Sequence, residues 1–272
     1  MTKIGDYMRK KILFLTGAGI SQPSGIPTFR GESGLWNNHR IEDVATLSAF
    51  IRTPEIVINF MNDICNDLKD KKPNKAHYAI ADLEKEYDVI VVTQNIDTLH
   101  EQAGSTNVIH LHGRYDEVVC RKCGKIHKNN DPIIYGEYKC SNCGSTEVKH
   151  NIILFQEMLN EIDFNKSYEE SYDSDLFVQI GTSALVSPAC DLVKHAKPER
   201  KRVEMNLSKS RPKPKDKFVF RHYYLGDIIN TIDQFIIDLP LLLPYCRREE
   251  LIQKPGLKDK DRYSNKSIVF RN

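Results

Sequence analysis

Residues 12–19 read Ile-Leu-Phe-Leu-Thr-Gly-Ala-Gly, a short apolar run that passes directly into a small polar and glycine turn. Four further apolar runs end in the same way in polar or glycine residues, at 89–92, 108–111, 176–180 and 203–205. Runs of this length without polar alternation are typical of strands buried on both faces, as in parallel sheets. The sequence therefore predicts a buried sheet to which these five runs contribute.

Helical patterns lie between the predicted strands. Thr53 is a good N-cap with Pro54 at the first helical position, and apolar residues then recur at helical spacing at Val57, Phe60, Met61, Ile64 and Leu68. Asn74 is expected to cap a second helix that runs through Tyr87. This alternation predicts a doubly wound α/β sheet, Rossmann-like, in which ligands bind beyond the carboxyl ends of the strands.

The stretch 114–149 breaks this alternation, because it is rich in Lys, Asn and Gly and lacks a long apolar period. It holds four of the seven cysteines, in two Cys-x2-Cys pairs separated by sixteen residues: Cys120, Cys123, Cys140 and Cys143. Four thiolates satisfy tetrahedral zinc, so the spacing predicts one closed structural site, with two redox disulfides as the alternative. The remaining cysteines are interpreted as ordinary thiols: Cys65, Cys190 and Cys246.

Charge and composition exclude several classes of protein. The chain has 272 residues, and its 39 Lys and Arg against 37 Asp and Glu leave a net charge of +2, so no global basic field indicates nucleic acid. No apolar run approaches the length of a membrane span, and the basic residues 9–11 precede an apolar stretch too short for a signal core. We therefore expect an intracellular, cytoplasmic protein with mostly reduced thiols.

Two clusters at predicted strand ends leave alternatives open. Gly17-Ala18-Gly19 suggests a phosphate cradle, but Gln22 stands where the usual dinucleotide fingerprint has its third glycine, so a plain tight turn is an equal alternative. The segment 94–97 (Gln-Asn-Ile-Asp) offers amide and carboxylate groups for ribose or carboxamide recognition, and its alternative is a helix cap.

His112 is the most suggestive titratable residue. It lies just past a predicted strand end beside Gly113, where a general base could face a cleft. A lone histidine is more often structural, and His110 falls on the same strand face, so spacing alone does not choose between the two.

Jointly, and in order from about Ile12 to Ile228, these motifs resemble the sirtuin family of NAD-dependent protein deacylases. The resemblance implies that His112, the histidine directly before Gly113, is the catalytic base, with Asn95 beside it at the nicotinamide. It also implies that the four paired cysteines hold the family's structural zinc. The residues it assigns to NAD are Gly17, Ala18, Gly19, Ile20, Phe29, Arg30, Gln94, Asn95, Ile96, Asp97, Gly181, Thr182, Ser183, Asn206, Leu207 and Asp227.

The resemblance implies a reaction as well. The acyl oxygen of a substrate lysine attacks the ribose C1′ of NAD and expels nicotinamide, and His112 then serves as base for the ribose hydroxyls. The products are free lysine, nicotinamide and O-acyl-ADP-ribose, and the partner is an acyl-lysine protein. The first alternative is NAD hydrolysis or ADP-ribosyl transfer in the same pocket, and the second is a non-catalytic NAD-binding module.

The chain departs from the family pattern where substrate is expected to bind. Phe155-Gln156-Glu157 stands in place of Phe-Gly-Glu, and Lys149-His150 in place of the preceding Arg-Pro. Backbone pairing with an extended peptide can survive these changes, because it uses main-chain groups. The residues expected to contact substrate are Met61, Ile64, Ile153, Phe155 and Val186.

The stretch from Gly34 to Thr46 resembles the family branch that includes desuccinylases, which hold acidic acyl groups with a Tyr and an Arg. Met61 and Ile64 occupy those two places here, and neither can pair with a carboxylate. The expectation is an apolar acyl pocket that prefers acetyl or longer fatty acyl groups. The alternative is that both residues simply belong to the core.

The expected organisation is an NAD-binding domain over 1–113 and 150–244, with a helical part at about 37–72, interrupted by the zinc module at 114–149. A polar C-terminal tail follows at 245–272. The compact length favours a prokaryote-type cytosolic enzyme.

Overall fold

The computed structural model describes residues 9–28, 35–36, 39–182, 187–197, 201–209, 220 and 222–243. The predicted tail at 245–272 lies outside this part of the chain, and so do six residues named above: Phe29, Arg30, Gly34, Ser183, Val186 and Cys246.

Eleven strands occur in the described residues: β1 (Lys11–Thr16), β2 (Leu35–Trp36), β3 (His39–Arg40), β4 (Asp88–Thr93), β5 (Val108–His110), β6 (Gly113–Cys120), β7 (Ile126–Lys128), β8 (Val148–Ile152), β9 (Leu176–Ile180), β10 (Lys201–Asn206) and β11 (His222–Leu225). Six of them form a parallel sheet in the order β11-β10-β9-β1-β4-β5. The sheet confirms the predicted α/β class, and all five predicted strands are present. β11 was missed because its sequence, His-Tyr-Tyr-Leu, is no continuous apolar run.

Two hydrophobic cores explain why the strand sequences lack alternation. In β1, Leu13 and Leu15 belong to one core and Ile12 and Phe14 to the other, and none of the four has exposed surface. A strand covered on both faces buries successive side chains in opposite directions, so every position is apolar.

The helices of the described chain are α1 (Ala18–Ser21), α2 (Ile41–Val44), α3 (Leu47–Arg52), α4 (Pro54–Leu68), α5 (Lys75–Leu83), α6 (Leu99–Ala103), α7 (Glu161–Asp173) and α8 (Ile228–Leu242), with 3-10 turns at Gln22–Ser24 and Ala189–Lys194. Along the residues described, no helix combines the length and apolarity that crossing a membrane requires.

Both predicted helices are present, but one of them ends earlier than predicted. α4 begins at Pro54 as predicted, although the Thr53 side chain makes no capping hydrogen bond. Asn74 caps α5 in a reciprocal capping box with His77. The prediction that this helix runs through Tyr87 was wrong, because α5 ends at Leu83 and turns follow before β4.

A second, antiparallel sheet of three strands, in the order β7-β6-β8, carries the paired cysteines. It docks on α4 through Asn62, whose amide donates to the carbonyl of Ile133 at 2.9 Å and accepts from the Ile133 amide at 2.8 Å. The sheet runs from Gly113 to Ile152, and the division of the chain into domains at 114–149 stays a prediction.

Candidate active site

The loops that follow β1 and β9 touch at the carboxyl edge of the central sheet. Gly19 donates to the carbonyl of Gly181 at 2.8 Å, and Gly17 donates to Ile180 at 3.0 Å. A Cβ atom on Gly19 would lie 2.6 Å from the Cα of Gly181, closer than real side chains approach. Glycine is therefore required here by the close approach of two loops, whatever ligand the cradle holds. Ala18 and Ile20 lie in α1, with Ile20 fully buried.

Three side chains from the segments that follow β1 and β4 form a hydrogen-bond chain. The Asn95 amide donates to the Ser21 hydroxyl at 3.1 Å and to the Gly17 carbonyl at 3.2 Å. Ser21 in turn donates to the Asp97 carboxylate at 2.9 Å, whose other oxygen accepts from the amide of Leu99 at 3.1 Å. Burial raises the pKa of Asp97, and the two hydrogen bonds oppose that shift.

His112 lies beside this chain, held by the backbone of Gln94. Its Nδ1 lies 2.8 Å from the Gln94 carbonyl oxygen. Because a carbonyl oxygen can only accept, Nδ1 carries the proton of the neutral ring and Nε2 carries the lone pair. Burial lowers the pKa of His112 to about 4, against the smaller opposite effect of the Gln94 bond, so the ring is neutral at pH 7.

His110, the alternative base, is engaged at both ring nitrogens. Nδ1 lies 3.1 Å from the Asn95 carbonyl oxygen, and Nε2 lies 2.8 Å from the Glu101 carboxylate. Arg114 donates to the same Glu101 oxygen at 2.8 Å and also pairs with Asp116. His110 therefore belongs to a network with Glu101 and Arg114 that supports the backbone at Asn95, whereas the Nδ1 atom of His112 is held by the backbone of Gln94.

The residues expected on the adenosine side meet through Thr182. Its hydroxyl accepts from the Gln94 side-chain amide at 3.1 Å, and its carbonyl accepts from the Asn206 side-chain amide at 2.8 Å.

Three more of the residues assigned to NAD take no part in these two hydrogen bonds. Leu207 follows Asn206 with an exposed side chain, and Asp227 caps the N-terminus of α8 by accepting from the amide of Ile229 at 2.8 Å. Ile96 is half-buried against the core.

The described substrate-contact candidates do not share one environment. Met61 and Ile64 are buried in the core, and Met61 also lines a small cavity whose other apolar walls are Phe50, Val57, Ile58, Ile152 and Leu154. Phe155 is buried, and the amide of Ile153 donates to the His112 carbonyl at 2.9 Å.

The four paired cysteines come together as a possible metal site. Their Sγ atoms all lie within 4.8 Å of one another. Each pair sits on a turn of the same form, in which Gly124 or Gly144, both with φ of 71°, donates to the carbonyl of the first cysteine at 2.9 Å. Four sulfur donors at this mutual distance fit a tetrahedral zinc ion, which needs all four as thiolates.

Ser21 ends the motif Gly17-Ala18-Gly19-Ile20-Ser21, which the resemblance places at NAD, but it was not among the residues assigned individually to NAD. It is fully buried and joins Asn95 to Asp97. The motif marks the position of Ser21 in the sequence, but serine at a helix start is too common for its type alone to indicate the contacts with Asn95 and Asp97.

A family model, curated relatives and solved structures all match this chain to the same family. Residues 17–188 match the Sir2 family. The NAD-dependent protein deacylase SIR2rp3 of Trypanosoma brucei brucei (strain 927/4 GUTat10.1) is 44% identical over 206 residues, 73% of this chain and 84% of the relative. An NAD-dependent protein deacylase of Bdellovibrio bacteriovorus is 40% identical over 84% of this chain and 95% of its own. A crystal structure of a Sir2 homologue in complex with NAD superposes with a TM-score of 0.75 at 34% identity, over 86% of this chain and 90% of that one.

Proposed function

The chain belongs to the Sir2 family, and from this premise we propose that it is an NAD-dependent deacylase of protein lysines. The observation that carries the proposal is the pairing of His112 Nδ1 with the Gln94 carbonyl, which leaves Nε2 as a neutral base at the edge where the strand ends converge. A general base of this kind contributes about 10²- to 10⁴-fold to a rate.

We assign the base to His112 Nε2, which takes a proton from a ribose hydroxyl while Nδ1–H stays on Gln94. NAD, when bound, supplies the ribose that accepts the acyl group and the nicotinamide that leaves. Asn95, Ser21 and Asp97 form a connected polar wall that can orient a carboxamide or a ribose without reorganising. The polar surface continues toward β10 through Gln94, Thr182 and Asn206, which are joined by hydrogen bonds. We propose that these three residues hold the adenosine half of NAD.

One structural zinc ion is part of the proposal. The two equivalent cysteine turns supply four ligands and leave no open position, so the ion stabilises the three-stranded sheet and takes no part in the chemistry. Thiols kept available for a metal suit a reducing compartment, and on that ground we propose a cytoplasmic location.

We further propose that the acyl pocket is apolar. The cavity beside Met61 has mainly apolar walls, and Lys149, which lies among the described residues that line it, is already paired with Glu157 at 3.0 Å. A succinyl carboxylate there would be buried without a partner, which is costly. Acetyl and longer fatty acyl groups are the expected substrates.

One experiment separates the three functions. The protein is incubated with NAD, with and without an acetyl-lysine peptide, and the products are followed by mass spectrometry. O-acetyl-ADP-ribose that requires peptide supports deacylation. ADP-ribose formed without peptide supports hydrolysis, and the absence of turnover supports a binding module.

The matched variants are His112→Ala and His127→Ala. His127 lies on β7 and takes part in none of the hydrogen bonds described for the site. We expect the first variant to lose turnover while remaining folded, and the second to keep it. Wild-type turnover by His112→Ala would overturn the assignment of the base.

A further inference from the structure

Gln156 has an unusual backbone conformation. Among the described residues it is the non-glycine residue with positive φ, at 72°. A side chain in this left-handed region costs on the order of 1 kcal/mol or more, and it persists only where the surroundings hold it. Some interaction of Gln156 must therefore offset the strain.

That interaction is a hydrogen bond from the start of α3. The Gln156 Oε1 atom accepts from the backbone amide of Ser48 at 3.1 Å. The first amides of a helix have no partner within the helix and need acceptors from elsewhere. Here Leu47 donates to the Phe155 carbonyl at 2.8 Å and Ala49 to the Thr46 hydroxyl at 3.1 Å. Two of the three acceptors thus come from the segment 155–156.

The same segment is tied down on its other sides. Phe155 donates to the Ala45 carbonyl at 2.9 Å and bridges Thr46 in parallel. Two residues earlier, Ile153 donates to the carbonyl of His112 at 2.9 Å. The segment 153–156 therefore contacts the backbone of the proposed base, His112, at one end and the start of α3 at the other.

We propose that Gln156 is a positioning residue, whose side chain latches the segment 153–157 to the N-terminus of α3 and so sets the affinity for the acyl-lysine peptide. The inference rests on the proposed function, because that segment is where the peptide is expected to pair. Glycine at 156 would relieve the backbone strain, but it would leave the Ser48 amide without this acceptor. The segment would then sample more positions, and the peptide would have to order it on binding.

The two partners of the latch can be removed independently. Gln156→Gly removes the acceptor, and Ser48→Pro removes the donor at a first-turn position where proline is tolerated. Ser48→Ala is the matched control, since it deletes the hydroxyl and keeps the amide. Gln156→Glu retains an acceptor of the same reach and should rescue, whereas Gln156→Asn is too short to do so.

We expect Gln156→Gly, Gln156→Asn and Ser48→Pro each to raise KM for an acetyl-lysine peptide by about 3- to 10-fold, the effect of losing one hydrogen bond. The kcat and the KM for NAD should stay within about twofold, because the latch touches no NAD-site side chain. The double variant Gln156→Gly/Ser48→Pro should be no worse than either single variant, as expected of two halves of one interaction. Additive losses, an unchanged KM in Gln156→Gly, or an equal fall of kcat would each overturn the latch.

Peptide binding is also measured without turnover, as the fluorescence anisotropy of a labelled acetyl-lysine peptide with ADP-ribose present. A wild-type protein that binds the peptide and makes no O-acetyl-ADP-ribose would contradict the proposed function alone. Weaker binding confined to the acceptor and donor variants would still support the latch. Equal binding by all variants, or no binding by the wild type, would overturn it.

Discussion

The Nδ1 atom of His112 lies 2.8 Å from the carbonyl oxygen of Gln94, so the backbone after one strand determines which nitrogen of the ring can act as a base. Gln94 also donates through its backbone amide to the carbonyl of Thr16 at 2.9 Å, which connects the proposed base to the end of β1 as well as to the end of β4. The tautomer of the His112 ring thereby depends on how the ends of β1 and β4 are joined.

The first prediction concerns the pH dependence of that base. Because burial lowers the pKa of His112 to about 4, the ring stays neutral well below the ordinary histidine range. We expect the acidic limb of kcat/KM to fall with a midpoint near pH 4 to 5. A profile of peptide deacylation measured at constant ionic strength tests this, and a midpoint near 6.5 would contradict it.

Acid should also destabilise the fold. Burial lowers the pKa of His77 and of His150 to about 4 and that of His100 well below its usual value. The unfolded chain then binds more protons than the folded one below about pH 6.5, so stability is complete above that pH and is lost as pH falls toward 4. At pH 5, His77 and His150 should each lower the free energy of unfolding by about 2 kcal/mol relative to pH 7.

Thermal unfolding at pH 7 and pH 5 measures this effect. Replacing His77 with Gln should reduce the drop in Tm between the two values, because one of the protonation sites is gone. His39, which is exposed, is the control, and His39→Gln should leave the drop unchanged. An identical drop in the His77 variant would argue against the assignment.

Ser21→Ala should impair catalysis strongly, although the substitution removes a single hydroxyl group. The change removes the donor to Asp97 and the acceptor for Asn95 together, so the buried Asp97 carboxylate and the half-buried Asn95 amide each lose a partner. We expect kcat/KM for NAD to fall about 10- to 100-fold while the protein stays folded. Ser167→Ala is the matched control, because that fully buried serine bonds only to a carbonyl of its own helix. Comparable losses in both variants would contradict a special role for Ser21.

Metal analysis should find one zinc ion per chain. Removing it with a chelator should lower Tm and free the four thiols for titration, because the binding free energy of a structural zinc ion contributes to the free energy of folding. Cys123→Ser should abolish the bound zinc, whereas Cys65→Ala, a buried thiol outside the cluster, should retain it. Full zinc content in Cys123→Ser would refute the four-cysteine site.

The buried ion pair of Lys149 and Glu157 should be essential for stability. The ammonium also donates to the Ile152 carbonyl at 2.7 Å, and the carboxylate accepts from the Leu154 amide at 2.8 Å. Lys149→Met would leave the Glu157 carboxylate, whose side chain is only 15% exposed, without its cation, and we expect a loss of about 3 kcal/mol in the free energy of unfolding by denaturant. Lys85→Met, which breaks an exposed pair with Asp82, should change it little. Equal effects in the two variants would show that the buried pair contributes no more than a surface pair.

Much of the fold could be read from local patterns. The five apolar runs appear as strands because burial on both faces excludes polar residues from every position, a constraint that any window of the sequence displays. Asn74 was recognised as a cap because capping depends on residues only a few positions apart. The end of α5 at Leu83 was not recognised. Tyr87 is buried, as a residue on the inner face of a helix would be, although the chain has already left the helix.

The sequence by itself determined the sheet, the cysteine spacing that fits zinc and the membership in a family, since each depends on residue type and order along the chain. Only the tertiary structure shows how the surroundings of His110 and His112 differ, because their hydrogen-bond partners, Glu101 and the backbone of Gln94, come from other elements. The same holds for Ser21 between Asn95 and Asp97, and for Gln156 on the amide of Ser48, 108 residues earlier in the chain. Hydrogen bonds between distant elements leave no periodic trace in a sequence, and the chemistry of this site depends on them.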